Sequence, residues 1–260
     1  MIQSVERAAM ILKSLGSGVS RLGITELSER LGLAKPTVHG LLRTLEAQEL
    51  VEQDPETGKY RLGPALLQLG NAFLDNHELR ARSLVWAESL ATRANEAAKV
   101  GVLYGSNVLV VHHVFRPDNS VQMLEVGASI PWHASSLGKA IVANLDAEAR
   151  KEKLKGPFPS LTGKTLTTPQ AVEAELKKVQ RVGFGVEDQE AIVGEAGLAS
   201  VVSDYQGVAV GAIGVSGPNE RLLPKGPESS IVVLVKEAAR GLSRELGAGR
   251  ASPRTVRVRP

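Results

Sequence analysis

The chain has 260 residues, 43% of them hydrophobic and 23% charged, with no cysteine and only 3% aromatics. That length is long for one compact domain and comfortable for two, and the missing cysteines exclude a disulfide framework or a Cys-based zinc site and suit a cytoplasmic protein. Net charge is +3, yet residues 1–63 hold eight Lys/Arg against eight Asp/Glu while residues 246–260 hold four Arg and no acid, so nucleic-acid binding must be argued from where the charges sit.

The start, "MIQSVERAAM", lacks the charged segment and apolar run of a signal peptide. No apolar run approaches the roughly 20 residues that span a bilayer. In "SVERAAMILKSLG", Val5, Ala8, Ala9, Leu12 and Leu15 fall at helical spacing, with Ser4 as a candidate cap and Gly16 as a stop. In "GITELSERLG", Ile24, Leu27 and Leu31 share a face and Gly32 ends the helix. A third helix follows in "LAKPTVHGLLRTLEAQELV", with Pro36 suited to a first turn and Val38, Leu41, Leu42 and Leu45 as the buried stripe. "LVEQDPETGKYRLG" alternates on both sides of a turn and predicts a short hairpin. Three helices and a hairpin, with a tight link between the second and third, form a winged helix-turn-helix pattern over residues 1–63.

The polar end of the third helix is the candidate reading surface. The second helix of such a pair enters the major groove, and its first residues reach bases and phosphates. His39 and Arg43 stand four apart, away from the apolar stripe. Gly40 lies between them and permits close approach, and Lys35, Pro36 and Thr37 form the tip. Arg43 can pair with guanine or hold phosphate, and His39 and Thr37 can do either. In the wing, Lys59 and Arg61 can reach a neighbouring backbone or minor groove. A charged outer helix face is usually just solvated; the ordered set of helices, turn and wing is what favours double-stranded DNA here.

Residues 64–77 predict a linker helix with Leu66, Leu69 and Phe73 on one side, to be covered by a partner subunit or by intramolecular packing. "HELRARSLVWAESLATRANEA" predicts the helix that opens a second domain, 78–245. Strands are expected in "KVGVLYGSNVLVVHHVF", "VQMLEV", "AGLASVVSD" and "GVAVGAIGVSG", and helices in "SLGKAIVANL", "TTPQAVEAELKKVQRVG" and "PESSIVVLVKEAARGLSREL". Thr168, Pro169 and Gly183 cap, start and end the second of those helices. This mixture predicts an α+β domain with a mostly antiparallel sheet. Residues 246–260 read as a basic disordered tail.

Other signals fail. "TGKT" at 162–165 lacks the glycine a phosphate-binding loop needs at Phe158, and Pro218 spoils "GVSGP" as a nucleophile elbow. His112 and His113 point to opposite faces of a strand, so only one can join His133, and no metal site is expected. No cofactor and no catalytic residues are expected either.

The stretches "SVERAAMILKSLG", "ITELSERLGLAKPTVHGLLRTLEAQELVEQDPETGKYRLG", "PWHASSLGKAIVA" and "GFGVEDQEAIVGEAGLASVVSDYQGVAVGAIGVSGP" resemble the IclR family of bacterial transcription factors over about residues 2–245. Within it, "HGLLRTL", "NAFLDNHELRARSLVWAESLA" and "VHHVFRPD" look most like the glycerol operon regulators. The resemblance implies an N-terminal winged helix-turn-helix joined by a linker helix to a GAF-like effector-binding domain, acting as a dimer or tetramer on a palindromic operator. It also implies a repressor of a small-molecule catabolic operon. A metabolite would be held by the backbone at Ser136 and Leu137, with Glu187, Glu195, Gly197, Gly214 and Ser216 lining the same pocket. Glu195 stands where a related pocket is apolar, which disfavours a carboxylate ligand and suits a polyol; a phosphate would need a cation such as Lys139 or Arg116 beside the amides. The competing class is an enzyme with an appended helix-turn-helix, for which the sequence offers no nucleophile–base motif.

Overall fold

A computed structural model of the chain describes residues 2–18, 21–118 and 120–249. The chain divides into two compact units between Asn76 and His77. Most of the expected tail, from Arg250 on, lies outside the described residues.

The first unit comprises α1 (Gln3–Leu15), α2 (Ile24–Leu31), α3 (Lys35–Ala47), β1 (Val51–Gln53), β2 (Tyr60–Leu62) and α4 (Ala65–Asp75). Its core joins Ile11, Leu15, Leu22, Leu27, Val38, Leu42, Leu45, Val51 and Tyr60. Each such aliphatic side chain contributes about 1.5–3 kcal/mol by leaving water. Leu22 and Tyr60 exchange backbone hydrogen bonds of 3.0 and 2.8 Å, which ties the segment before α2 to the hairpin. Gly32 ends α2 in the left-handed region at φ 64°, a conformation that glycine adopts without strain and that turns the chain sharply into α3. At the start of α2, the Glu26 carboxylate accepts the Gly23 N–H at 2.6 Å.

Three expectations for this unit are corrected. Ser4 does not cap α1: the helix begins at Gln3 after an extended Ile2. Val5 is exposed and the buried positions are Ile11 and Leu15, because the core begins only in the helix's third turn. In α3, Leu41 is half-buried rather than part of the fully buried stripe.

The second unit comprises α5 (Glu78–Ala94), β3 (Ala97–Tyr104), β4 (Asn107–Val114), β5 (Ser129–Pro131), α6 (Ser136–Ala143), α7 (Ala147–Lys153), α8 (Pro169–Val182), β6 (Gly185–Asp188), β7 (Glu195–Ser203), β8 (Ala209–Pro218), α9 (Asn219–Leu222) and α10 (Ser229–Glu245). Six strands form one antiparallel sheet in the order β5-β4-β3-β8-β7-β6. Helices α5 and α10 pack together on one face and α6 and α8 on the other. The fold is α+β, as expected. The caps of α8 are those read from the sequence: Thr168 accepts the Ala171 N–H, and Gly183 takes φ 78°.

The segment "VQMLEV" is not a strand. The backbone of Val110, on the edge it would have joined, is already bonded to Gly127 and Ala128 at 2.9 Å each, and β5 pairs beyond them. Val121, Met123 and Leu124 are left exposed. Among the described residues no helix is long and apolar enough to cross a membrane.

Candidate functional site

The polar tip of α3 is built as its sequence suggests. Burial of Val38, Leu42 and Leu45 fixes the helix's rotation and turns Lys35, His39 and Arg43 outward. No hydrogen bond or ion pair engages those three side chains among the described residues. Thr37 is half-buried and Pro36 exposed. A Cβ on Gly40 would meet nothing within 4 Å, so the helix surface between His39 and Arg43 is open to a close-approaching ligand. The first-turn backbone offers less than a helix start usually does: Pro36 has no N–H, and Thr37 N–H donates to Ala34 O at 2.9 Å. Side chains, not free amides, therefore make this end polar.

The wing cations are already partnered. Arg61 Nε donates to Glu52 Oε2 at 2.8 Å across the hairpin, and Lys59 Nζ lies 3.3 Å from Glu26. Exposed pairs of this kind contribute about 0–1 kcal/mol, so a phosphate can replace either carboxylate at small cost.

In the second unit, six of the seven residues expected around an effector converge. Ser136, Leu137, Glu187, Gly197, Gly214 and Ser216 line one cavity of about 50 Å³. Glu195 does not line it; it sits at the start of β7 opposite Pro218. Gly197 also has a packing role, because a Cβ there would lie 2.7 Å from Ser136 Oγ. Gly138 plays the same part inside α6, where a Cβ would meet the Trp132 carbonyl oxygen at 2.2 Å. Both glycines draw neighbouring backbone against the start of α6, which Ser135 caps by accepting the Gly138 N–H at 3.4 Å.

The cavity's cation is Lys99, which the sequence reading passed over. It sits on β3 opposite His113 on one side and Gly214 on the other, and its Nζ lies 2.6 Å from the Glu125 carboxylate. Its signal was a lone lysine in the apolar run "AAKVGVLY". The two cations proposed earlier are committed elsewhere. Lys139 is buried, bonded to Glu190 and, at 2.8 Å, to the Val186 carbonyl; Arg116 pairs with Asp118. Neither lines the cavity.

Burial pushes the Glu187 carboxyl up to about 7, against the pull of two backbone donors, Ala191 N–H at 3.2 Å and Glu190 N–H at 2.8 Å. At neutral pH this group therefore exchanges between a hydrogen-bond donor and an anion inside the cavity. The histidines do not meet there. His113 Nδ1 accepts the Glu125 N–H at 3.2 Å, and His133 Nε2 lies 3.1 Å from the Pro159 carbonyl oxygen. Burial lowers the pKa of both imidazoles. The arrangement offers a small, partly open volume with an ammonium, a titrating carboxyl, hydroxyls and a helix N-terminus.

Comparison with known proteins agrees with both halves. Residues 4–55 match the IclR helix-turn-helix domain, and residues 71–244 match the bacterial transcriptional regulator IclR C-terminal domain. The chain is 50% identical over 250 residues to a glycerol operon regulatory protein of Streptomyces griseus, covering 96% of this chain and 98% of that one. It is 44% identical, with the same coverage, to the protein of that name from Streptomyces coelicolor. Among solved structures, an IclR transcriptional regulator from Alicyclobacillus acidocaldarius superposes with a TM-score of 0.80 at 24% identity, covering 95% of this chain and 98% of that one. An IclR homolog from Microbacterium hydrocarbonoxydans, complexed with 4-hydroxybenzoate, superposes at 0.76 with 24% identity, covering 94% and 98%. At that identity the two structures speak to the fold alone.

Proposed function

The chain belongs to the IclR family of bacterial transcriptional regulators, and on that premise we propose that it is a cytoplasmic repressor of a glycerol operon. The observation that carries the glycerol assignment is its kinship, along nearly the whole chain, with two glycerol operon regulatory proteins. The family is one of DNA-binding regulators and not of enzymes.

In this reading Lys35, Pro36, Thr37, His39, Gly40 and Arg43 face the major groove of a palindromic operator, and Lys59 and Arg61 exchange their carboxylates for phosphates. The effector is glycerol or glycerol 3-phosphate, held in the cavity of the second unit. The cavity, about 50 Å³, is small, which favours a compact effector over a bulky one. The α6 backbone at Ser136 and Leu137 and the Lys99 ammonium would take a phosphate; Glu187 and Ser216 would take hydroxyls. The protein works as a homo-oligomer, dimer or tetramer. Leu69 on α4, 62% exposed, supplies part of an apolar face for a second copy to cover. Effector binding shifts the balance between subunit arrangements that fit the operator and those that do not.

Fluorescence anisotropy on DNA upstream of the protein's own gene tests this, with a salt series and with each compound. Binding with clear preference over random DNA, weakened by one compound, is the expected result. Specific binding unmoved by either compound overturns the glycerol assignment. Loss of all sequence preference overturns the repressor reading.

A further inference from the structure

We infer that the second unit carries a DNA-backbone contact of its own, separate from the helix-turn-helix, along α10. The observation is a groove of about 690 Å³ between α10, β7 and the end of α8. Lys236, Arg240 and Arg244 line it from one side of α10 and Arg181 from the end of α8; no Asp or Glu does. The three α10 cations stand at successive four-residue intervals and so form one stripe about 12 Å long. Like charges at that spacing repel and disfavour the helix that carries them. Among the described residues no carboxylate forms an ion pair with these cations, and one of the two acids on α10, Glu237, is held by Arg93 at 2.9 Å. Lys236 Nζ instead lies 5.5 Å from the centroid of the Phe184 ring, and the side chains of Arg181, Arg240 and Arg244 have no partner among the described residues.

The chemistry of the missing partner follows from the length of the stripe and from what comes after it. A single small anion needs one convergent cradle, whereas these cations are strung along a helix. Duplex DNA carries one phosphate per strand for about every 3.4 Å of helix axis, so a 12 Å stripe can meet more than one. Ala248 and Gly249 also line the groove, so the chain leaves it directly into residues 250–260, which contain four Arg and no acid. That segment offers the groove no counter-charge, since its charged residues have the same sign. Such a surface carries no base information; it adds affinity that is steeply salt-dependent and alike for all sequences.

This inference rests on DNA binding by the first unit, and one experiment separates the two. Binding of the full-length protein to its operator and to random DNA is measured across salt for the wild type, Lys236→Gln/Arg240→Gln/Arg244→Gln and the single Arg240→Gln. Each lost phosphate contact flattens the slope of log K against log[salt] by about 0.9. The triple variant should therefore flatten it by about 2.7 and the single variant by about 0.9. Both DNAs should weaken by the same factor, leaving the preference for operator intact. The triple variant should melt close to wild type, because relieved repulsion offsets the lost Lys236–Phe184 contact. Unchanged slopes in a protein that still prefers its operator overturn the inference and assign the groove to an acidic protein or a small anion. No operator preference in the wild type would instead overturn the function proposed above.

Discussion

Lys99 Nζ lies 2.6 Å from the Glu125 carboxylate at the wall of the cavity that Ser136 and Glu187 also line, with the Lys99 side chain 13% exposed and that of Glu125 36%. The ammonium that an anionic effector would need is thus held by an internal carboxylate that the effector must displace. The sheet enforces the arrangement, because register places Lys99 beside Gly214 on one strand and His113 on the other.

Lys99→Met should therefore separate the two candidate effectors. A charge-assisted hydrogen bond contributes about 1.5–3 kcal/mol, so glycerol 3-phosphate should bind roughly 10–100-fold more weakly. Glycerol, with no charge to place there, should change by less than about threefold. Glu125→Gln should tighten the phosphate compound, since its competitor is gone. Calorimetric titration reads both, and an equal loss for the two compounds would remove Lys99 from phosphate recognition.

Glu187 gives a pH-dependent stability with a definite sign. Its carboxyl is raised to about 7, chiefly by burial, from an ordinary value of 4.5. Between those values the folded state holds a proton that the unfolded state has lost. Stability attributable to this group therefore falls as pH rises from about 4.5 to 7 and is level above that. The full penalty is roughly 3 kcal/mol at most. Glu187→Gln keeps an acceptor for the Glu190 and Ala191 amides without the charge. Urea denaturation should show it more stable than wild type by about 1–3 kcal/mol at pH 8 and close to wild type at pH 5. A difference that does not change with pH would contradict the assignment.

The buried Lys139–Glu190 pair predicts strong coupling. Both side chains are nearly out of solvent, and Glu190 Oε2 has no hydrogen-bond partner among the described residues. Removing one partner strands the other charge, so Lys139→Met should cost about 3–5 kcal/mol. Lys139→Met/Glu190→Leu should recover most of that loss. Additive losses in the double variant, by thermal or urea unfolding, would show that the two side chains do not depend on one another.

Much of this architecture is legible in the sequence because its causes are local. Thr168 and Gly183 cap α8 through their own chemistry, Gly32 turns the chain by its φ, and the stripe Val38, Leu42 and Leu45 orients α3 by periodicity alone. The parts that escaped depend on distant partners. "VQMLEV" has strand-like alternation but finds its edge occupied by Gly127 and Ala128. Lys99 joins the cavity only because β3 pairs with β8, more than a hundred residues away. Lys139 looked available as a cation until the loop after β6 brought Glu190 onto it. Of the seven residues that family resemblance placed around an effector, six meet, and Glu195, at the start of β7, does not line the cavity.

Gly40 offers the sharpest separation of stability from DNA binding. It lies inside α3, between His39 and Arg43, with open space where a Cβ would stand. Glycine in a helix interior is less favourable than alanine by about 0.8–1 kcal/mol. For folding alone, then, Gly40→Ala should be a gain of that size. If the helix surface here approaches the operator closely, the added methyl must press on DNA, and affinity should fall by about 5–100-fold, the effect of losing one contact worth 1–3 kcal/mol. Arg43→Gln should lose a similar amount of operator affinity and relax the preference at one base pair if it pairs with a base. If it holds phosphate instead, operator and random DNA should weaken together. Thermal melts beside anisotropy measurements give both quantities for each variant. A Gly40→Ala protein that is more stable and binds its operator as tightly as wild type would mean that this face of α3 is solvated, and the groove-reading surface would have to be sought elsewhere on the first unit.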